Sequence, residues 1–361
     1  MKKHYFIPAA MMMTLAMSTT ALAGVWRTGL GPNENRWWYD DGNGAYAESE
    51  WRWLDGDGDG VAECYAFDSE GWMYADTTTP DGYQVNGDGA WVVNGAVQTR
   101  SMRVDFSREH EVETREQHVG NNGADIYGVL HIPSDVSGTM PLVIMSHGLG
   151  GTADSMTEYA NALSKMGVAV YRYDFRGGGE NSRSEGATTE MSPLTEVTDL
   201  EAVIAAAKTW DFVDWDNVFL MGNSQGGLVS ALTAPKYQED IKAEILFYPA
   251  FVAYDNAHNM YASLDEVPES EWFNWLTLGK KYYEDVWELD AYAQANTFAG
   301  DVLLVHGDAD AVVPISYSER LAEELANVEY HVIPGAGHGF HGEDFDTAVS
   351  YIKSFLEREI Q

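Results

Sequence analysis

The stretch at residues 217–234, NVFLMGNSQGGLVSALTA, decides the fold of this chain. Residues 218–221 form a short apolar run typical of a β-strand, and residues 227–234 are small and apolar, as in a buried helix. Between them lies the pentapeptide GNSQG, which has the pattern G-x-S-x-G. A strand, a tight turn and a helix around this pattern predict a nucleophile elbow with Ser224 on a strained turn. The alternative is a glycine-rich turn with an incidental serine, because short motifs recur by chance.

The chain has 361 residues, of which 45% are hydrophobic, so it is long enough for one large domain and a small one. Residues 1–23 combine a basic start, Lys2 and Lys3, with an apolar segment at 6–17 and the small-residue sequence ALA at 21–23. This pattern predicts a signal peptide cleaved after Ala23, since the apolar segment is shorter than a membrane-spanning helix. We therefore expect a secreted or cell-surface-associated bacterial protein whose mature chain has no transmembrane segment.

The formal net charge of the whole chain is −36, from 57 acidic and 21 basic residues. Such a surface repels polyanions, so the sequence excludes nucleic acid as a partner and favours a substrate that is neutral or only locally charged. The acidity suits either a salty habitat or simple colloidal solubility. Cys64 is the one cysteine, so no intrachain disulfide is expected and stability must come from the core.

Residues 24–100 are rich in aromatic residues and contain seven of the twelve tryptophans. Aromatic segments with Asp-Gly or Asn-Gly turns begin at residues 37, 51, 65 and 83, which predicts a module of repeated β-hairpins. The texture resembles the aromatic, glycine-rich cell-wall-binding repeats, of choline-binding type, that are attached to exported bacterial enzymes. That resemblance implies a cell-wall or carbohydrate ligand for this module. The alternative is that the aromatic side chains only pack the hairpins together.

The sequence DGDGDG at residues 55–60 raises the question of a calcium loop with Asp55 and Asp59 among its ligands. The twelfth position of such a loop needs a bidentate carboxylate, and this chain has Ala66 there. A hairpin turn is therefore the preferred interpretation.

From residue 101 the pattern changes to alternating strands and helices, which predicts an α/β domain at 101–361 with a largely parallel sheet covered on both faces. The predicted strands are 126–132, 142–146, 168–173, 218–221, 243–247, 302–305 and 330–333. The predicted helices are 155–166, 195–209, 225–234, 317–326 and 345–359. Catalytic residues of such a sheet are expected at the carboxyl ends of its strands.

Two segments after Ser224 supply the partners that a nucleophilic serine needs. The segment LLVHGDADAVVP at 303–314 places Asp310 just after a predicted strand, and IPGAGHGF at 333–340 places His338 after the next one. A serine needs a base within hydrogen-bond reach, and the base needs an orienting carboxylate. Ser224, His338 and Asp310 are therefore predicted to form a catalytic triad.

A segment before the serine, VIMSHGLGG at 143–151, is a strand that runs into a glycine-rich loop. Such a loop can place the backbone N–H of Leu149 beside that of Gln225, the residue after the nucleophile. These two N–H groups are the predicted oxyanion hole.

Over residues 101–361 the chain resembles the α/β-hydrolase superfamily, whose nucleophile, acid and histidine follow one another in this order. It is most similar to bacterial cinnamoyl and feruloyl esterases, because it shares YRYDFRG at 171–177, a glycine- and serine-rich loop to residue 186, and MSPLTEV at 191–197. Many of those enzymes have histidine where this chain has Gly178, a departure that lies in a loop outside the triad. The resemblance implies an α/β-hydrolase fold that needs no metal or organic cofactor.

Other candidates for the triad lie close by. Asp308 is in the same loop as Asp310, but Asp310 matches the position of the acid in the family. His341 is expected at the rim of the site, while His147 and His306 are expected to be buried, hydrogen-bonding residues.

An insertion at about 250–298 is too long for a plain connection, and the resemblance makes it a helical cap over the catalytic cleft. Trp272, Trp275 and Tyr254 are its candidate substrate-binding residues, since aromatic rings can stack on a planar phenolic acyl group. The alternative is that most of the aromatic residues in the insertion join the cap to the main domain.

The sequence and the resemblance together predict a secreted serine ester hydrolase that releases hydroxycinnamic acids from plant cell-wall esters. Alternatives on the same fold are a general short-chain carboxylesterase or acetyl esterase, and a serine peptidase of the prolyl-oligopeptidase kind. A third alternative, from another class, is a surface-binding protein with an inactive hydrolase domain.

Overall fold

The computed structural model describes residues 25–42, 45–56, 61–101, 104–136 and 139–360. The predicted signal peptide and most of the DGDGDG loop lie outside the described residues. The chain divides into two compact units, residues 1–102 and 103–361, here called the N-terminal unit and the C-terminal unit. No helix in the described ranges is long and apolar enough to cross a membrane.

The N-terminal unit consists of three small antiparallel sheets in its described part. The strands are β1 (Val25–Thr28), β2 (Trp37–Gly42), β3 (Ala45–Tyr46), β4 (Trp51–Leu54), β5 (Val61–Ala66), β6 (Thr77–Thr78), β7 (Gln84–Val85), β8 (Trp91–Val93), β9 (Ala96–Val97) and β10 (Thr99–Ser101). The sheets have the strand orders β1-β2-β3, β10-β5-β4 and β6-β7-β8-β9. Antiparallel pairing joins neighbours along the chain, as expected for hairpins, except that β10 pairs with β5.

Two turns of this unit share one geometry, which their side chains explain. The Oδ1 atom of Asp68 accepts the N–H groups two and four residues further on, at 2.9 Å each. Asn86 does the same at 3.1 and 2.9 Å. Gly71 and Gly89 take the third place after these residues with φ of 82° and 88°, a conformation that glycine adopts without a steric penalty. Asx side chains and left-handed glycines therefore define these turns.

The C-terminal unit is built on an eight-stranded sheet with the order β11-β14-β16-β15-β17-β18-β21-β22. All neighbours are parallel except the pairs β11–β14 and β14–β16. The strands of the unit are β11 (Val112–Glu116), β12 (Val119–Asn121), β13 (Ala124–Ile126), β14 (Gly128–Pro133), β15 (Met140–Ser146), β16 (Ala169–Tyr173), β17 (Val213–Asn223), β18 (Ala243–Phe247), β19 (Ser270–Phe273), β20 (Leu276–Gly279), β21 (Asp301–Gly307) and β22 (Val328–Ile333).

Helices cover both faces of this sheet, as the sequence predicted. They are α1 (Thr157–Lys165), α2 (Pro193–Ala207), α3 (Gln225–Thr233), α4 (Ala253–Met260), α5 (Lys280–Val286), α6 (Ala291–Ala295), α7 (Ser316–Glu324) and α8 (Glu343–Glu359). Side chains of α1 and α8 pack on one face, in a cluster that contains Phe219 and Ile352. Side chains of α2, α3 and α6 pack on the other, with Leu220 and Leu228. Central strands such as β15, β16 and β18 are buried along their whole length, which is typical of a sheet covered on both faces.

The insertion between β18 and β21 contains α4, the hairpin β19–β20, α5 and α6. A purely helical cap was expected, and the hairpin at Ser270–Phe273 and Leu276–Gly279 is an addition to it.

The edge strand β11 was also not predicted. Its sequence VETRE is mostly exposed and lacks the apolar alternation on which strand prediction depends.

Candidate active site

The elbow around Ser224 has the strained geometry that its sequence predicts. Ser224 has φ 52° and ψ −123°, in the left-handed region that residues with a Cβ rarely adopt, and α3 begins at the next residue. A Cβ on Gly222 would lie 2.2 Å from the carbonyl oxygen of Gly226. A Cβ on Gly226 would lie 2.2 Å from the carbonyl oxygen of Ser146. Both glycines are therefore required for the close backbone approach that presents the serine at the end of β17.

The structure brings Ser224, His338 and Asp310 together in one hydrogen-bonded chain. The Oγ atom of Ser224 lies 3.0 Å from Nε2 of His338, and Nδ1 of His338 lies 2.7 Å from Oδ2 of Asp310. Asp310 follows β21 and His338 follows β22, so parallel strands deliver both to the edge where β17 delivers Ser224. A carboxylate at Nδ1 holds the proton there, which leaves Nε2 free to accept the proton of the serine hydroxyl.

The environment of Asp310 keeps this carboxyl group ionised. Burial alone would raise its pKa, but hydrogen bonds from His306 and His338 and from the N–H groups of Val313 and Val312 outweigh burial and hold the pKa far below its usual value. The two backbone N–H groups donate to Oδ1 at 2.9 and 2.8 Å. The side chain is fully buried, so its negative charge is directed at the imidazole of His338 rather than at solvent.

His306 is buried, as expected, and it also contacts the acid of the triad. Its Nε2 donates to the carbonyl oxygen of Val313 at 2.9 Å and lies 3.4 Å from Oδ2 of Asp310. Its Nδ1 then accepts from the hydroxyl of Ser318 at 2.7 Å. This contact with Asp310 was missed from the sequence, although the spacing of four residues, from the end of β21 into the loop that follows it, is a signal that could have found it.

The loop that follows β15 lies against the nucleophile. A Cβ on Gly148 would lie 3.0 Å from Cβ of Ser224, so any larger residue would crowd the nucleophile. The N–H groups of Leu149 and Gln225 are not among the backbone groups that donate to other described residues. The Gln225 N–H is also at the first turn of α3, where the helix dipole favours negative charge. These two groups are thus free to bind an oxyanion.

His147 shapes this loop and is not placed to carry protons. Its Nδ1 donates to the carbonyl oxygen of Gly148 at 2.8 Å, and its Nε2 accepts the N–H of Phe175 at 3.1 Å. Burial lowers its pKa, so the ring stays neutral. A Cβ on Gly178 would lie 2.8 Å from Cβ of Phe175 and 3.0 Å from the His147 ring, so the loop packs tightly against both residues at this point.

The competing candidates lie outside the triad. Asp308 is exposed, and its Oδ1 accepts the N–H of Gly335 at 2.6 Å, which braces the turn before His338. His341 is exposed at the rim. Within the described residues, no group of three His, Cys, Asp or Glu side chains is arranged to hold a metal ion.

Tyr248 supports the histidine and was not predicted as a site residue. It follows β18 and has φ 36°, which is unusual for a residue with a bulky side chain. Its buried ring lies 4.7 Å from the ring of His338, centroid to centroid. A strained residue packed against the catalytic base fits the tendency of active sites to contain such conformations.

The three predicted substrate-binding residues have different positions. Trp275, half exposed at the turn of the hairpin β19–β20, donates its indole N–H to the carbonyl oxygen of Leu149 at 3.2 Å. Trp272 lies on the same hairpin and is 65% exposed. The ring of Tyr254 lies 4.3 Å from that of His258, centroid to centroid, and is tilted by 42° to it. Of these three, Trp275 is the one that the structure places against the oxyanion loop.

Known proteins share this architecture. The family model described as serine aminopeptidase, S33, matches residues 139–295. An uncharacterized protein of Mycobacterium tuberculosis is 28% identical over 249 residues, which cover 68% of this chain and 76% of that protein. A monoacylglycerol lipase of Mycolicibacterium smegmatis is 26% identical over 294 residues, which cover 67% of this chain and 99% of the lipase.

A solved structure extends the comparison. The structure of Est1E from Butyrivibrio proteoclasticus with bound ferulic acid matches with a TM-score of 0.62 and 25% identity. It covers 68% of this chain and 99% of Est1E. The matching family model, the eight-stranded sheet and the likeness to Est1E together show that the C-terminal unit has the α/β-hydrolase fold, with Ser224, His338 and Asp310 in the arrangement of a serine hydrolase.

Proposed function

We propose that this protein is a secreted carboxylic-ester hydrolase that acts through an acyl-enzyme on Ser224. The observation that carries the proposal is the chain of hydrogen bonds from Ser224 Oγ through His338 to Asp310, at 3.0 and 2.7 Å, beside two N–H groups free to bind an oxyanion. This arrangement stabilises both the charge on the histidine and the charge on the substrate oxygen.

In the first half of the reaction, Oγ of Ser224 attacks the ester carbonyl carbon while Nε2 of His338 accepts the hydroxyl proton. The carbonyl oxygen becomes an oxyanion, which the N–H groups of Leu149 and Gln225 bind. Asp310 stabilises the imidazolium. The tetrahedral intermediate then collapses, the bond to the alcohol breaks, and His338 returns its proton to the leaving oxygen.

The second half uses the same groups on water. His338 accepts a proton from a water molecule whose oxygen attacks the acyl carbon, and the same N–H groups bind the second oxyanion. Collapse breaks the bond to Oγ, and the proton on His338 returns to Ser224. The carboxylic acid leaves and the enzyme is regenerated.

The proposed acyl group is a hydroxycinnamic acid, of the ferulic or coumaric type, esterified to plant cell-wall polysaccharide. Support comes from the likeness to Est1E, whose structure contains ferulic acid, and from the half-exposed indole of Trp275 beside the oxyanion loop. The sequence pattern of residues 1–23 supports export. The aromatic N-terminal unit would then hold the enzyme on a cell-wall or carbohydrate surface.

A peptidase is the second candidate, because the matching family model carries the description serine aminopeptidase. Both reactions use the same acylation chemistry, and they differ in the leaving group that His338 must protonate. Turnover compared across feruloyl, acetyl and butyryl esters and peptide amides separates them. The proposal expects the feruloyl ester to have the highest kcat/KM, and a preference for amides would overturn it.

Replacing the nucleophile tests the reaction itself. Ser224→Ala should lower kcat for any ester substrate by roughly 10³-fold or more, with an unchanged fold by circular dichroism. Ser230→Ala is the matched control, since Ser230 is a buried serine of α3 outside the site and should keep wild-type activity. Ester turnover at the wild-type rate by folded Ser224→Ala protein would exclude this mechanism. Covalent labelling of Ser224 by an organophosphate distinguishes a serine hydrolase from an inactive binding protein.

A further inference from the structure

Both polar atoms of the Gln225 side-chain amide are hydrogen-bonded, although the proposed reaction uses only the backbone N–H of this residue. The side chain is buried behind Ser224. Its Nε2 donates to Oε2 of Glu196, on α2, at 2.8 Å. Its Oε1 accepts the hydroxyl of Tyr282, on α5, at 3.0 Å. One residue of the predicted oxyanion hole is thus hydrogen-bonded both to the main domain and to the cap.

The cap helix α5 is fixed to the main domain at further points around this contact. The hydroxyl of Ser192, which caps the N-terminus of α2, donates to Asp285. A Cβ on Gly279, just before α5, would lie 1.8 Å from the carbonyl oxygen of Thr189, so backbone meets backbone there. Tyr282 is buried between these contacts. The position of the cap is therefore linked to Gln225 directly, through the hydrogen bond from the Tyr282 hydroxyl.

Glu196 is a buried carboxyl group with no cationic partner among the described residues. Its Oε1 is buried and accepts no hydrogen bond from them, while Oε2 accepts from Gln225. Burial raises the pKa of Glu196 well above its usual value, and the nearby charge of Asp199 raises it further. A neutral carboxyl suits this place, because an ionised one would repel the oxyanion that forms next to Gln225.

We propose that Tyr282, Gln225 and Glu196 form a positioning chain through which the cap holds the N–H of Gln225 in the direction that binds the oxyanion. This inference rests on the proposed function, since it assigns Gln225 N–H to the oxyanion. Gln225 is the first residue of α3, where its φ and ψ angles set the direction of the N–H groups at the helix start. Hydrogen bonds to both atoms of its side-chain amide restrict the φ and ψ angles of Gln225. The three side chains act through the backbone of Gln225 and do not contact substrate.

Removal of one hydroxyl tests the chain. Tyr282→Phe keeps the ring and deletes the bond to Gln225. Its kcat for a small ester should fall roughly tenfold while KM stays within about twofold, since one misdirected oxyanion donor costs up to about 10²–10³ in kcat. Tyr283→Phe is the matched control, because the hydroxyl of Tyr283 donates to Glu271 inside the cap and should leave kcat near the wild-type value. An equal fall in both variants, or none in Tyr282→Phe, would overturn the inference.

Glu196 offers a rescue experiment in the complete protein. Glu196→Gln keeps an oxygen acceptor and is neutral, so it should retain kcat within about threefold. Glu196→Leu leaves Nε2 of Gln225 without an acceptor and should lose about tenfold or more. If the Gln variant were folded and as slow as the Leu variant, the carboxyl would act by its charge and the positioning chain would be wrong. Thermal unfolding of each variant shows whether the fold is intact.

A trifluoromethyl ketone separates failure of this inference from failure of the proposed function. Such a ketone adds Oγ of Ser224 to its carbonyl carbon and forms an oxyanion without turnover. Its affinity should fall in Tyr282→Phe and Glu196→Leu in proportion to kcat, and remain unchanged in Tyr283→Phe. If no ester were hydrolysed, the proposed function would fail. The ketone affinities of these three variants and of the wild type would still test the positioning chain. Equal ketone affinity in all variants would refute it.

Discussion

Strand β15 of the C-terminal unit is buried at all of its residues, whereas strand β5 of the N-terminal unit alternates between half-buried and buried positions. The core of the C-terminal unit lies on both faces of an eight-stranded sheet. In the N-terminal unit the buried apolar cluster consists of Ala47, Leu54 and Phe67, with partly buried rings packed around it. The C-terminal unit has a large core to stabilise it, whereas the N-terminal unit depends on ring contacts and turns.

This difference decides where function can be located. A large core can offset local strain, so the C-terminal unit can hold Ser224 and Tyr248 at positive φ beside a buried carboxylate. The N-terminal unit also has residues at positive φ, such as Asn94, but these are turn residues with short polar side chains. Positive φ therefore indicates a reaction site in the C-terminal unit and turn geometry in the N-terminal unit.

The largest effect should separate two acids of one loop. Asp310→Asn should lower kcat by about 10⁴-fold, because the amide favours the wrong tautomer of His338. Asp308→Asn should lower it by less than about threefold, since Asn can still accept the N–H of Gly335. Steady-state kinetics on one ester with both variants measures the contrast. Equal losses would mean that the loop as a whole, and not the Asp310 carboxylate, supports the histidine.

Much of this site could be predicted from the sequence, because parallel strands end at one edge. Ser224, Asp310 and His338 each follow an apolar run, and a parallel sheet places such positions side by side. The contacts of His306 with Asp310, of Tyr248 with His338 and of Tyr282 with Gln225 were not predicted. They depend on loop conformation and on how the cap packs, and neither has a repeating pattern in the sequence.

The fold shows the same division. The helices with predicted bounds, α1, α2, α3, α7 and α8, begin and end within about two residues of them, because apolar periodicity and caps such as Ser192 mark them, whereas no bounds were predicted for α4 to α6. The short strands β11 to β13 and the hairpin β19–β20 were missed, since segments of three to five residues are too short to show a clear periodicity. In the N-terminal unit, Asp-Gly and Asn-Gly pairs predicted hairpins, but the ligand of the aromatic rings stays a prediction.

Glu244 tests the large core by pH. This carboxyl lies on the central strand β18, and burial raises its pKa to about 8. Between about pH 4.5 and 8 the folded protein keeps the proton on Glu244 that the unfolded chain has lost. The free energy of unfolding therefore falls by about 1.4 kcal/mol for each unit by which the pH rises. Glu244 alone is expected to contribute a loss of roughly 3–5 kcal/mol over this window. Glu244→Gln should remove that contribution, while Glu196, whose pKa burial also raises, keeps its own.

Chemical denaturation at pH 5 and pH 8 measures the Glu244 effect. Glu239→Gln is the matched control, because Glu239 is an exposed glutamate of the same unit and should leave the slope unchanged. If Glu244→Gln kept the wild-type pH dependence, Glu244 would have found a partner, and the core would not be as dry as its packing indicates.

Two glycines of one turn test the N-terminal unit. Gly89 has φ 88°, and a Cβ there would also lie 2.4 Å from the end of Met73. Gly89→Ala should destabilise this unit by about 1–2 kcal/mol. Gly87→Ala, in the same turn but with open space around it, should change stability by less than about 0.5 kcal/mol. Tryptophan fluorescence during denaturation follows the unfolding. Equal stability of the two variants would show that turns contribute less here than the ring contacts.

The smallest effect comes from deleting one indole N–H in each unit. Trp275→Phe removes the bond to the carbonyl oxygen of Leu149 and should lower kcat/KM about three- to tenfold, because one hydrogen bond contributes about 1 kcal/mol and this one holds the oxyanion loop. Trp51→Phe removes the bond from Nε1 of Trp51 to Asp81 and should leave kcat/KM for a soluble ester unchanged. If Trp51→Phe slowed a soluble ester as much as Trp275→Phe, catalysis would depend on both units, and assigning reaction to one and ring packing to the other would be wrong.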